Sequence, residues 1–378
     1  MKDNIYGIEV EPEYVSFAGW VKDDIEVYMN HEGELRTPSM VLFNKDNTID
    51  VGIVEKDYME MDPENENVVA PTENRNKITY FPYKYENQLF DEEDIVAFIF
   101  KKVINDIKKC EDIDFNKVVI SYPAYYSAKQ VERIRTSGVL AELNVCSLIP
   151  DSVALIHANK DFVNALEEKE AIVIILQENH ISTSIVKIQN GDVELCCAAG
   201  TSSIGGWQWN GYMLNYIVNL ICSEYSVSKS EIYDDQDMMF LIRHKAEEIL
   251  ESLVESDKRR LCVRLNTGKK INIEIERAEF ERNTKPLTNQ VINFIQDMVG
   301  QAYCNRKIKH NRINSIIFAG DYEYWIREEI KTKIDADICV CALKSDIVKG
   351  TVMYGEILKQ RIEKLDMAMN GKFDYINL

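Results

Sequence analysis

The sequence predicts an α/β protein built as two lobes. Its 378 residues exceed the size at which one hydrophobic core usually stops growing. A run of short strands gives way to alternating strand and helix, and that plan is used twice along the chain. Apolar residues make up 46% and charged residues 28%, close to the globular average and enough to build a sizeable core.

The first plan starts at the N-terminus. Asn4 to Val10, Tyr14 to Trp20 and Asp24 to Met29 are short β-branched or aromatic runs separated by acidic turns, which predicts a meander. Between Asp91 and Lys109, Ile95, Phe98, Ile99, Val103 and Ile107 recur at helical spacing behind the acidic opening Asp91 to Asp94, where the helix dipole favours negative charge. Lys117 to Tyr122 reads as a buried strand, and Ser127 to Leu143 as the helix after it.

The second plan repeats the first. Strands are predicted at Ala171 to Ile175, Ile181 to Ile188 and Val193 to Ala199, with a helix near Asn210 to Ser223. Asn314 to Phe318 is a further strand, entering the turn Ala319-Gly320-Asp321 before a helix from Tyr324 to Ile334. Lobe I is expected to hold residues 1–168 plus 351–378, with a reduced outer subdomain. Lobe II is expected at 169–350, its outer helical and β subdomain near 225–310.

Composition also narrows function. Sixty-three acidic against 44 basic residues give a net charge of −19, which repels nucleic acid and anionic membranes at long range. The acidic stretch from Glu55 to Glu66 reads as a solvated loop. No apolar run is long enough to span a bilayer, and the N-terminus lacks a signal-peptide pattern, so a cytoplasmic location is expected. The nine cysteines lack framework spacing and read as reduced, mostly buried hydrophobes. Cys339 and Cys341 share one face of a strand but supply only two soft ligands, and no metal is expected.

Several stretches together resemble the 70-kDa heat-shock (DnaK-type) chaperones, from about Tyr6 to Leu358. Arg36 to Phe43 resembles the family's Arg-Thr-Pro-Ser strand, and Val119 to Tyr126 its Thr-Val-Pro-Ala-Tyr-Phe motif. Gly138 to Pro150 is similar to the family's Gly-x-x-Ala-Gly-Leu-Asn-Val segment, and Gly200 to Gly206 to its Gly-Asp-x-x-Leu-Gly-Gly turn. Lys349-Gly350-Thr351 and the helix through Leu358 resemble its closing segment. The resemblance implies an actin-like, ribonuclease H-like fold: two lobes, each a mixed sheet flanked by helices, around a central cleft where glycine-rich turns approach the phosphates of ATP.

Position by position, the chain departs from that pattern. The first phosphate loop, Gly-Ile-Asp-Leu-Gly-Thr-Thr in the family, is Gly7-Ile8-Glu9-Val10-Glu11-Pro12-Glu13, where two acids face the phosphates and Pro12 removes a backbone donor. The second, Asp-Leu-Gly-Gly-Gly-Thr, is Ile175-Leu176-Gln177-Glu178-Asn179-His180: Ile175 stands in place of the carboxylate and all three glycines are gone. His180 is either a base or ligand, or a polar turn residue. The adenosine turn Gly-Gly-Ser-Thr-Arg becomes Ala319-Gly320-Asp321-Tyr322-Glu323, and Glu247 and Glu248 stand where the family places Lys and Arg.

Glu9, Asp151 and Ile175 are thus vestiges of catalytic positions, and Tyr14, Gly205, Gly206, Gly320 and Asp321 are the residues expected to line the cleft. Trp209 reads as core; Trp207 is either a plug for the cleft or an ordinary interfacial aromatic. Taken with the resemblance, this implies a pseudo-ATPase that serves as a protein-binding, scaffold or chaperone-like module with no cofactor. The alternatives are a divergent, active chaperone-type ATPase that takes ATP or ADP with Mg²⁺, and an actin-like filament subunit. A protein partner is expected, with Phe373, Tyr375, Ile376 and Leu378 as candidate contacts on a tail whose apolar alternation suits a strand, or else a frayed end.

Overall fold

The structure, a computed structural model, describes residues 4–52, 62, 65–72, 74, 77–111, 117–159, 169–305, 313–334, 336–343 and 345–373, with side chains as far as residue 362 except those of 337 and 338. The meander is β1 (Tyr6–Val10), β2 (Tyr14–Val21) and β3 (Asp24–Val27). Short strands follow: β4 (Thr37–Pro38), β5 (Val41–Phe43), β6 (Ile49–Val51), β7 (Val68–Val69), β8 (Tyr83–Tyr85) and β9 (Gln88–Phe90). Helix α1 (Glu92–Glu111), β10 (Lys117–Tyr122), α2 (Ala128–Leu140), β11 (Asn144–Pro150) and α3 (Asp151–Ala158) complete the first half. Ser127 caps α2 with a reciprocal capping box to Gln130, which fixes where that helix begins.

The second half holds β12 (Lys169–Leu176), β13 (Ile181–Gln189), β14 (Asp192–Thr201), α4 (Trp207–Tyr225), α5 (Lys229–Tyr233) and α6 (Gln236–Ser252). It continues with the hairpin β15 (Lys258–Arg264) and β16 (Lys270–Glu276), then α7 (Arg277–Cys304), β17 (Ile313–Ala319), α8 (Tyr324–Lys333), β18 (Ala336–Cys341) and α9 (Asp346–Phe373).

Two sheets organise the molecule on one plan. The first runs β11-β10-β1-β2-β3 and the second β18-β17-β12-β13-β14. In each, a parallel set (β1 with β10 and β11; β12 with β17 and β18) is extended by an antiparallel meander. Ile8 lies opposite Ile120 and Ile172 opposite Ile316, so both parallel cores are β-branched runs covered on two faces, as buried parallel strands require.

Three cores follow. One packs α1 and α2 on the first sheet through Phe17, Ile99, Phe100 and Ile134. Another joins the second sheet to α4, α6, α7 and the β15–β16 hairpin, centred on Trp209 and Phe280. The third takes Val119 and Ile149 from the first sheet, Val173, Ile175 and Ile317 from the second, and Val153 and Ile156 from α3. It stitches the two sheets together beneath the region where their turns meet.

Several expectations change. The helix after Gly206 begins at Trp207, so both tryptophans belong to α4, with Trp209 fully buried. Residues 371–373 are the last turn of α9 rather than a strand; continuing the intrahelical hydrogen-bond ladder overrides their alternation. Tyr375, Ile376 and Leu378 lie outside the described residues, as does most of the Glu55–Glu66 stretch. The cysteines are not buried: six are exposed and three intermediate. Cys262 stands at an outward position of the alternating strand β15, where strand geometry rather than hydrophobicity sets exposure.

Candidate functional site

The turns β1–β2, β12–β13 and the one after β17 converge between the sheets, and Gln177 joins all three. Its Nε2 donates to Glu11 Oε1 at 2.5 Å, and its Oε1 accepts from the Asp321 amide at 3.3 Å. Its own backbone closes the β12–β13 hairpin through His180 O and accepts from Gly206 N at 2.8 Å. Gln177 therefore fills the centre of the site with an amide that bonds to turns of both sheets.

The first turn is tied down as firmly. Pro12 O accepts from Asn74 Nδ2 at 3.1 Å, and Glu13 O from Ser39 N at 2.7 Å. Glu9, Glu11 and Glu13 are all buried. Neither Glu9 oxygen has a hydrogen-bond donor among the described residues. Burial, and then the charge of Glu11, holds Glu9 well above the usual carboxylate range, and burial raises Glu11 against the pull of Arg36. The expected electrostatic reversal is thus muted, because the low dielectric favours the neutral acids.

Asp151 opens α3 and accepts from the amides of Ala124 at 3.1 Å and Ser152 at 2.5 Å. Burial nonetheless pushes its pKa up to about 7. His180 is a buried residue of the β12–β13 turn, with Nδ1 3.7 Å from Glu13 Oε1. Burial opposes its charged form, but Glu13, Glu11 and Asp151 outweigh that and hold its pKa above the ordinary value. Ile175 packs into the core that joins the sheets.

On the third turn Arg36 Nη1 meets Asp321 Oδ2 at 3.2 Å, and the guanidinium lies 5.9 Å from the centroid of the Tyr14 ring. Gly320 needs its glycine, with φ +98° and a Cβ that would fall 2.3 Å from Leu176 O. A Cβ on Gly206 would lie 2.2 Å from the Tyr322 ring. That ring packs against the second sheet's core, and its hydroxyl accepts from Asn210 Nδ2 at 2.8 Å. Tyr322 is thus an aromatic set against the glycine turn.

Of the residues expected from sequence, Glu9, Asp151, Gly205, Gly206, Gly320 and Asp321 gather around these turns, with Tyr14 beneath Arg36. Gln177, Arg36, His180 and Tyr322 complete the site without having been singled out as cleft-lining. Only Arg36 left a signal in the sequence, as a cation beside Thr37 with an acid, Asp321, on a distant turn to receive it. Among the described residues no three His, Cys, Asp or Glu side chains are placed to hold a metal ion. Nor is any described helix long and apolar enough to cross a membrane.

The paired sheets with α3 and α9 between them define an actin-like nucleotide-binding domain. The family model for the Hsp70 protein matches residues 66–359, and the chain belongs to the Hsp70 family. It is similar to the chaperone proteins DnaK of Thermotoga petrophila and Thermotoga maritima, each 26% identical over 329 residues that cover 84% of this chain and 53% of the relative. The DnaK of Mycoplasmopsis pulmonis is 25% identical over 301 residues, 78% of this chain and 48% of that protein. The chain spans about half the length of the curated relatives it matches.

Proposed function

We propose that this chain is a DnaK-like pseudo-ATPase, a clamp-shaped protein-binding or scaffold module whose nucleotide cleft is filled by its own side chains. The observation that carries the reading is Gln177, which bridges the three turns that the family closes around phosphate. Mg·ATP fits this residue set poorly. Pro12 offers no amide, Gly205 and Gly206 are packed against Glu178 O and Tyr322, and Arg36 is engaged with Asp321. Phosphoryl transfer depends on positioning and on neutralising phosphate charge, and the buried carboxyls of Glu9, Glu11, Glu13 and Asp151 supply no cation for that charge, whether neutral or ionised.

The relatives are chaperones, which favours a protein as the partner over nucleic acid or membrane, with Phe373, Tyr375, Ile376 and Leu378 as the proposed contacts. Isothermal titration calorimetry with ATP and with ADP in the presence of Mg²⁺ is expected to give no micromolar binding. A micromolar dissociation constant would overturn the proposal. Turnover of bound ATP would establish the divergent ATPase in its place, and head-to-tail filaments under the electron microscope would establish a filament subunit.

A further inference from the structure

We propose that the cluster of Glu9, Glu11, Asp151 and His180 is a proton-operated latch, which holds the two lobes together when protonated and parts them when it loses its protons. The proposal rests on how the turns pack and not on whether nucleotide binds. Among the described residues, contacts cross between the lobes from Gln177 to Glu11, from Asp321 to Arg36 and from His180 to Glu13. Tyr125, whose ring centroid is 5.7 Å from that of His180, also covers Gly200 on β14 so closely that a Cβ there would meet the ring at 2.2 Å. The latch is therefore closely packed on its Tyr125 side.

Its charge balance depends on protons. With Glu9, Glu11 and Asp151 neutral, the cations of Arg36 and His180 face the carboxyls of Glu13 and Asp321, and the seam is close to neutral. Ionising the three acids adds three negative charges where burial leaves little solvent to screen them. From β1 and its turn, Glu9, Glu11 and Glu13 face the seam; Tyr14 and Arg36 close one side, and Tyr122 stands beside Asp151. From the second sheet come His180, Asp321 and Tyr322, with Glu178 near the tyrosine. Behind Glu11, Glu92 is already paired with Arg133, so that arginine brings no free cation to the seam.

The shifts share one sign. Glu9, Glu11 and Asp151 are raised by burial, and His180 is raised by its acidic neighbours, so the closed form holds protons that an open, solvated form releases. Closure is favoured at low pH, and the Asp151 contribution is lost progressively from the ordinary carboxylate range up to about 7, its value in the closed form. The test compares small-angle X-ray scattering of the whole chain at pH 5.5 and 8.5 in ~0.15 M salt, where surface charges are screened.

The radius of gyration, roughly 21 Å for a compact chain of this length, is expected to grow by about 1 Å at the higher pH. In the triple variant Glu9→Gln, Glu11→Gln, Asp151→Asn it is expected to stay at the compact value at both pH values. An unchanged wild-type curve refutes the latch, and so does equal expansion of the variant. Should the triple variant not fold, Asp151→Asn alone is expected to show a smaller expansion than wild type; an undiminished one also refutes the proposal.

Discussion

Gly350 lies where α9 crosses α3, and the crossing permits no side chain. A Cβ built there would sit 1.8 Å from Ala154 O, 2.6 Å from Ala154 C and 3.1 Å from Ala158 N. These are backbone atoms of a buried helix, so no rotamer change relieves the clash. Restoring contact distances near 3.5 Å requires the helices to separate by about 1.5 Å or more. Val153, Ala154 and Ile156 of α3 belong to the core that joins the two sheets, together with Ile347 of α9, so separation opens packed surface on both sides. Overpacking of this kind costs about 1–3 kcal/mol or more, whereas alanine's helix propensity returns only ~1 kcal/mol.

The balance predicts that Gly350→Ala destabilises the protein by about 2 kcal/mol, seen as a lower urea midpoint. Gly211 is the control. It lies within α4, where an added Cβ would meet nothing within 4 Å, so Gly211→Ala produces no clash and is expected to stabilise by ~0.5–1 kcal/mol. A raised or unchanged midpoint for Gly350→Ala, with Gly211→Ala behaving normally, would refute the close approach of α3 and α9 and the joining of the sheets built on it.

Other outcomes follow from single sites. His157 on α3 has its pKa pushed down to about 4 by burial and then by the Arg361 charge, so the folded state holds it neutral; its contribution is present above about 6.5 and lost as pH falls toward 4. Melting temperature should therefore fall across that acid window in the wild type and fall less steeply in His157→Gln, with an identical slope in both counting against the assignment. Trp209→Ala, at a side chain with no exposure, should cost about 3–5 kcal/mol in denaturant unfolding, and a loss below about 1 kcal/mol would show that α4 is not packed on the second sheet as described.

The sequence by itself determined the repeated plan of the two halves. β-branched runs such as Lys117 to Tyr122 and Ala171 to Ile175 announce buried strands, because burial on both faces leaves no polar alternation to confuse the reading. Motif resemblance also located the three turns, since each is a contiguous stretch. What those turns do together could not be read from the chain. Gln177, Glu11 and Asp321 are far apart in sequence, and only folding places the two ends of one amide against both of the others. The charge state was hidden for the same reason: Glu11 reads as an anion in isolation, and it is burial, with Glu13 adding to it, that favours its neutral form. Gly206 likewise reads as a phosphate turn, while the packing sets a tyrosine from 116 positions later against it. Side-chain type and periodicity are local properties, but desolvation and contact depend on which distant segments meet, and tertiary structure alone decides that.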